Sequence, residues 1–134
     1  MTKIESAWPR YPDYRIDLTV LPNRVRVLHD GRCLAETSRA LLVEETDHKP
    51  VLYIPEGDVN GALFQPSGHH TVCPFKGEAS YRSLVVGEVA EDDVLWFYPE
   101  PFDEVAGLRG HVAFYDTRVR VEVDDPETAS DGSR

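Results

Sequence analysis

The chain has 134 residues, 24 acidic against 14 basic side chains, a formal charge of −10 and a hydrophobic share of 41%. This length makes one domain, able to bury about 65–70% of its unfolded surface without disulfides or structural metal. The acidic balance, with no stripe of lysine or arginine, excludes nonspecific nucleic-acid binding, and no apolar run approaches the ~18 residues of a membrane span.

The first residues, Met-Thr-Lys-Ile-Glu-Ser-Ala-Trp-Pro, hold no apolar signal core, so the expected compartment is the cytoplasm. Pro9, Pro12 and Pro22 make residues 1–21 read as an extended arm laid over the sheet. Arg24-Val-Arg-Val-Leu28 alternates, meets Asp30-Gly31 and resumes as Cys33-Leu-Ala35. Asp-Gly suits the positive φ angles of a tight turn, so this is a hairpin with Val25 and Val27 pointing inward. Strand signals follow at Ala40–Glu44, Val51–Ile54, Glu78–Val86, Val94–Tyr98, Val112–Tyr115 and Val119–Val123, each bounded by Gly, Pro or Asp. Between them, Asp58-Val-Asn-Gly-Ala-Leu-Phe64 puts Val59, Ala62 and Leu63 on one helical face behind an Asp cap, which predicts one short helix. Residues 125–134 lack large apolar side chains and read as a disordered acidic tail. The reading is a mainly β, mostly antiparallel domain over residues 22–124.

Chemistry concentrates in Thr71-Val-Cys-Pro-Phe-Lys-Gly-Glu-Ala-Ser-Tyr81. Proline fixes the turn and glycine frees the backbone, so Cys73 and Lys76 can be aimed at one point. A neighbouring cation favours the nucleophilic thiolate; the alternative is a buried structural cysteine beside a surface lysine. His69 and His70, just upstream, are candidates for a base or an orienting group, or are exposed and idle. Cys33, in a strand, is expected to be inert. Trp96 and Tyr98 share a strand face, and Tyr53 and Tyr81 could converge with them as an apolar wall with polar tips, or simply fill the core. Glu44 ends an apolar strand on the face of Ala40 and Leu42, where a partly buried acid is conceivable. The two cysteines, with no CxxC, and the single histidine pair give no second close ligand pair, so no metal is expected. Glu91-Asp-Asp93 reads as a solvated turn, and no Walker loop, dinucleotide fingerprint or Gly-x-Ser-x-Gly elbow is present.

The chain resembles a family of small, mainly bacterial proteins catalogued as domain of unknown function 427. The blocks that carry the resemblance are Arg24-Val-Arg-Val, Gly31 with Ala35 and Ser38, Glu44, Tyr53-Ile-Pro55, Asp58-Val, Thr71 to Tyr81, Trp96-Phe-Tyr-Pro and Gly110-His-Val-Ala-Phe-Tyr115. The resemblance implies a β-tent, two antiparallel sheets pinned at one edge and splayed around a cleft. Tent proteins with apical zinc hold it through CxxC pairs, which this chain lacks. Some catalogues label the family a nucleotidyltransferase domain, although no paired metal carboxylates or phosphate loop are visible in the sequence. The functional expectation is a small-molecule cleft lined by Glu44, Tyr53, Cys73, Lys76, Tyr81, Trp96 and Tyr98, with Cys73, Lys76 and Glu44 as the catalytic candidates. The alternatives are nucleotidyl transfer and a non-catalytic interaction module. A small-molecule ligand is the expected partner, with no nucleic acid and no membrane; cofactor and oligomeric state are left open.

Overall fold

The computed structural model describes residues 5–124; the tail read over 125–134 lies outside them. Ten strands among the described residues form two antiparallel sheets, the class the sequence reading expects, and eight of the ten are ones it names. They are β1 (Ile16–Leu21), β2 (Val25–His29), β3 (Arg32–Thr37), β4 (Ala40–Glu45), β5 (Val51–Pro55), β6 (Phe64–Cys73), β7 (Gly77–Val86), β8 (Val89–Phe97), β9 (His111–Phe114) and β10 (Arg120–Val123). The larger sheet has seven strands in the order β1-β4-β5-β9-β8-β7-β6, and the smaller has three in the order β10-β2-β3. No helix among the described residues is long and apolar enough to cross a membrane.

The β2–β3 hairpin turns at Asp30 and Gly31, with φ of 49° and 79°, and Val25 and Val27 are buried. Both are properties that Asp-Gly between alternating strands dictates. Three sequence readings differ from the structure. Residues 16–21 of the expected arm are an edge strand, paired with β4 from Ile16↔Glu45 to Leu21↔Ala40. Its alternation of half-buried Ile16 and Leu18 with exposed Asp17 and Thr19 is masked by the flanking prolines. The short helix behind Asp58 is instead two 3-10 turns, Glu56–Asp58 and Gly61–Leu63. The Asp58 carboxylate does not cap it: it accepts from Thr37 Oγ1 at 2.6 Å and from Arg39 Nη2 at 3.2 Å. Finally, β6 carries no strand signal because it is a mostly exposed edge. There Pro66 is tolerated, and the pairing with β7 is interrupted between Pro66 and His70.

Period-two alternation gives the large sheet two different faces. Val25, Val27, Leu34, Ile54, Leu84, Leu95, Val112 and Phe114 form the core between the sheets. Leu41, Val43, Tyr53, Ala79, Tyr81, Tyr98, Val105, Leu108 and Ala113 form a second core on the outer face. That second core is covered by Trp8 and Phe102 and by the turn region Asp103–Leu108.

Candidate functional site

The outer face holds a cavity of about 390 Å³, and its lining draws on β4, β5, β7 and β8, the β6–β7 turn, and Tyr115 just after β9. Tyr53, Cys73, Lys76, Tyr81, Trp96 and Tyr98 all line it, so the Cys73–Tyr81 segment and the Trp96 strand meet at one place. The cleft expected between the sheets therefore gives way, for these residues, to a cavity on the far side of the seven-stranded sheet.

The β6–β7 turn sets the floor. Cys73 pairs with Gly77 across the hairpin, and the Lys76 N–H returns to the Cys73 carbonyl at 3.3 Å. Gly77 has a φ of +118°, and a Cβ there would stand 3.2 Å from the Glu100 carbonyl, so the position needs glycine for both conformation and space. The preceding segment clamps this turn from outside. The Ala7 N–H donates to the Pro74 carbonyl at 2.9 Å, Trp8 Nε1 donates to the Phe75 carbonyl at 2.7 Å, and the Tyr14 ring stacks on Phe75 at 3.8 Å between centroids.

Lys76 is buried, 8% exposed, and no other charged residue among those described is buried as deeply. Its ammonium donates to Glu45 Oε1, and the Tyr14 hydroxyl donates to Glu45 Oε2. His48 Nδ1 stands 3.8 Å from the same carboxylate. Burial alone would raise the Glu45 pKa; the hydrogen bonds from Lys76 and Tyr14 and the ammonium charge outweigh it and hold the group below its ordinary value. The same carboxylate acts oppositely on Tyr14, whose pKa is raised by desolvation and then by its bond to Glu45.

Glu44, the acid expected at the site, is exposed. It shares its strand face with Ala40 and Leu42, but the inter-sheet core reaches Ala40 and leaves Leu42 half-buried. Its neighbour Glu45 falls on the face of Leu41 and Val43 and enters the cavity. The continuous apolar run Ala40–Val43 hides which parity faces inward, so the sequence offers no choice between the two acids.

Aromatic rings make the walls. Trp96 Nε1 donates to the Tyr53 hydroxyl at 3.2 Å. Tyr115 lies 4.5 Å from Trp96 and parallel to Tyr81, at 6.5 Å between centroids. Tyr81 is fixed from behind by a 2.8 Å hydrogen bond between its hydroxyl and Thr71 Oγ1. Burial pushes the Tyr53 and Tyr98 hydroxyls well above the ordinary phenol range, and burial followed by Tyr81 raises Tyr115 to about 12. Tyr115 escaped the sequence reading of the site, although its spacing from Ala113 at the end of Gly110–Tyr115 was available as a signal. Tyr14 had none, lying among prolines.

Cys73 Sγ is 3.9 Å from Lys76 Nζ, but the ammonium is closer to Glu45, so its charge is already met. His69 and His70 are both exposed; His69 packs on the Tyr81 ring at 4.5 Å, and His70 Nδ1 meets Ser80 Oγ at 3.3 Å. Cys33 is exposed on β3. Among the described residues there is no group of three or more His, Cys, Asp or Glu side chains that could hold a metal ion.

Fold and site together define an all-antiparallel two-sheet domain whose larger sheet carries a tyrosine-lined, ion-paired cavity. The model of the family described as Domain of unknown function (DUF427) matches residues 17–125, so the chain belongs to that family. No curated protein matches it in sequence.

Proposed function

We propose that the outer-face cavity binds a small molecule, its flat apolar part against Trp96, Tyr81 and Tyr115 and its polar part at the Glu45–Lys76 pair. The observation that carries this reading is the convergence of those rings and of a buried ion pair on one volume of about 390 Å³. This is the makeup of a ligand site: apolar walls with a few placed polar groups. Because Lys76 is neutralised by Glu45, the ligand that fits best carries no strong net charge and has both donors and acceptors at its polar end. Glu45 takes the place in the site that the sequence reading gives to Glu44.

Cys73 belongs to the wall in this reading. A nucleophilic role has one observation in its favour, the 3.9 Å approach of Lys76, and that ammonium is shared with a nearer carboxylate. Nucleotidyl transfer has none among the described residues.

The test is a thermal-shift screen of metabolites, followed by calorimetry of the hits on the native protein and on Trp96→Ala. Hits are expected to bind the native chain and to lose roughly 10-fold or more in affinity with Trp96→Ala, the range for removing an aromatic anchor. Hits that bind both proteins equally would place the ligand elsewhere.

A further inference from the structure

The seven-stranded sheet is split next to the cavity. Strand β5 pairs with β9 at Pro55↔His111, Ile54↔Val112 and Tyr53↔Ala113, and the ladder stops there. Outward of that point each strand stays with its other neighbour: β5 with β4 as far as Val51↔Val43, and β9 with β8 as far as Phe114↔Leu95. The Tyr115 N–H donates to the Val94 carbonyl at 2.9 Å, so by alternation Phe114 directs its backbone groups at β5. The Tyr53↔Ala113 pair, whose own backbone groups point away from each other, implies that the Phe114 N–H reaches the Leu52 carbonyl; the ladder stops before the return bond, so the Leu52 N–H and the Phe114 carbonyl do not meet.

A second cavity, of about 340 Å³, lies on the inner side of this split. Most of its wall is apolar and comes from both sheets, with Val27 and Val121 from the small sheet and Leu52, Ile54 and Phe114 from the large one; the Lys49–Asp116 ion pair, at 3.0 Å, lines it as well. Lys49, Val51, Trp96 and Tyr115 line both cavities, so the two chambers abut at the split.

We propose that the two chambers form one bipartite site for a fatty-acyl amide. Its hydrocarbon tail would lie between the sheets, its amide linkage in the split, and its neutral polar head at Glu45–Lys76. Each segment matches what faces it. The inner chamber offers aliphatic and aromatic carbon. The split offers strand backbone whose ladder is incomplete, and an amide supplies the donor and acceptor that such backbone seeks. The ion pair, neutral as a whole, suits a head with both donors and acceptors better than a lone carboxylate or ammonium. This inference rests on the reading of the outer cavity as a ligand site and adds the class of ligand.

The experiment is calorimetry with N-acylglycinamides from acetyl to decanoyl, each below its micelle-forming concentration. The native protein is compared with Ile54→Phe, which fills the inner chamber from the large sheet, and with Val121→Phe, which fills it from the small one. Thermal melts establish that each variant is folded, and either one suffices. Affinity is expected to rise about fourfold per methylene as the tail lengthens, and this gain should vanish in the filled variants while the acetyl compound binds them unchanged. Short probes that bind with no gain from length would overturn the bipartite site and leave the outer-cavity reading standing. A gain that persists in the filled variants, or no binding at any length, would also overturn it. The metabolite screen on Trp96→Ala reports separately on the outer cavity.

Discussion

Between the sheets the fully buried side chains are almost all aliphatic: Val25, Val27, Leu34, Ile54, Leu84, Leu95 and Val112. On the outer face of the same strands the buried set holds three tyrosines, and a lysine–glutamate pair only 10% exposed on each side sits beside it. Stability alone explains the first face, since closely packed hydrocarbon leaves no polar group to satisfy. It does not explain the second. A buried ion pair often contributes no more than well-packed hydrophobic residues of the same volume, because both charges lose their hydration. Where a chain departs from the local rules on one face only, that face is where function is to be sought.

Single substitutions sharpen the contrast. Lys76→Ala leaves a buried carboxylate with only the Tyr14 hydroxyl and the more distant His48, and is expected to lower unfolding free energy by about 3–5 kcal/mol. Denaturant melts check this, and a loss below about 1 kcal/mol would mean that Glu45 finds water when Lys76 goes. On the other face, Ile54→Ala should cost about 2–5 kcal/mol through the cavity it opens, without changing the affinity of any polar head group for the outer cavity. An Ile54→Ala variant that lost head-group binding would erase the division of labour between the faces. Gly77→Ala is expected to cost about 1–3 kcal/mol, since its φ of +118° and the nearby Glu100 carbonyl leave no relaxed position for a Cβ.

Titration gives a smaller effect with two limbs, both from the outer face. The Glu45 pKa is depressed in the folded state. Its contribution is therefore present above the ordinary glutamate value near pH ~4.3 and is lost as the pH falls through the folded value. The Tyr115 pKa is raised to about 12 and that of Tyr98 still higher. Their contribution is complete below the ordinary phenol value near pH ~10 and disappears as the pH climbs through the raised values. Urea melts across pH should therefore show an acid limb that Glu45→Gln flattens and an alkaline limb that Tyr115→Phe weakens. An alkaline limb unaffected by Tyr115→Phe would assign it to other groups.

The fold was legible where local chemistry decides it. Asp30-Gly31 dictates a hairpin, and alternation fixes which valines of β2 face the core. Strands β1 and β6, the edges of the larger sheet, were illegible for different reasons: β6 carries a proline, two histidines and a glycine on a wet face, whereas β1 keeps its alternation but is hidden by the prolines that flank it. The site was legible in its turn and its rings, because Cys-Pro-Phe-Lys-Gly and the aromatic residues are dense in chemistry. It failed at Glu44, where an unbroken apolar run conceals the strand's parity, and at Tyr14, which is brought to Glu45 by a segment that gives no periodic signal. The split beyond Tyr53 and Ala113 had no trace in the sequence at all, because register is a property of two strands together.

Under the proposed function, the Glu45–Lys76 pair serves binding and not folding. The direct measurement is the double variant Glu45→Met with Lys76→Met, compared with the native chain by denaturant melts and by calorimetry with a ligand of the outer cavity. The predicted result is a stability equal to that of the native protein, or higher by up to about 4 kcal/mol, together with loss of ligand binding. A fall in stability as large as that of Lys76→Ala, or binding that survives both substitutions, would contradict it.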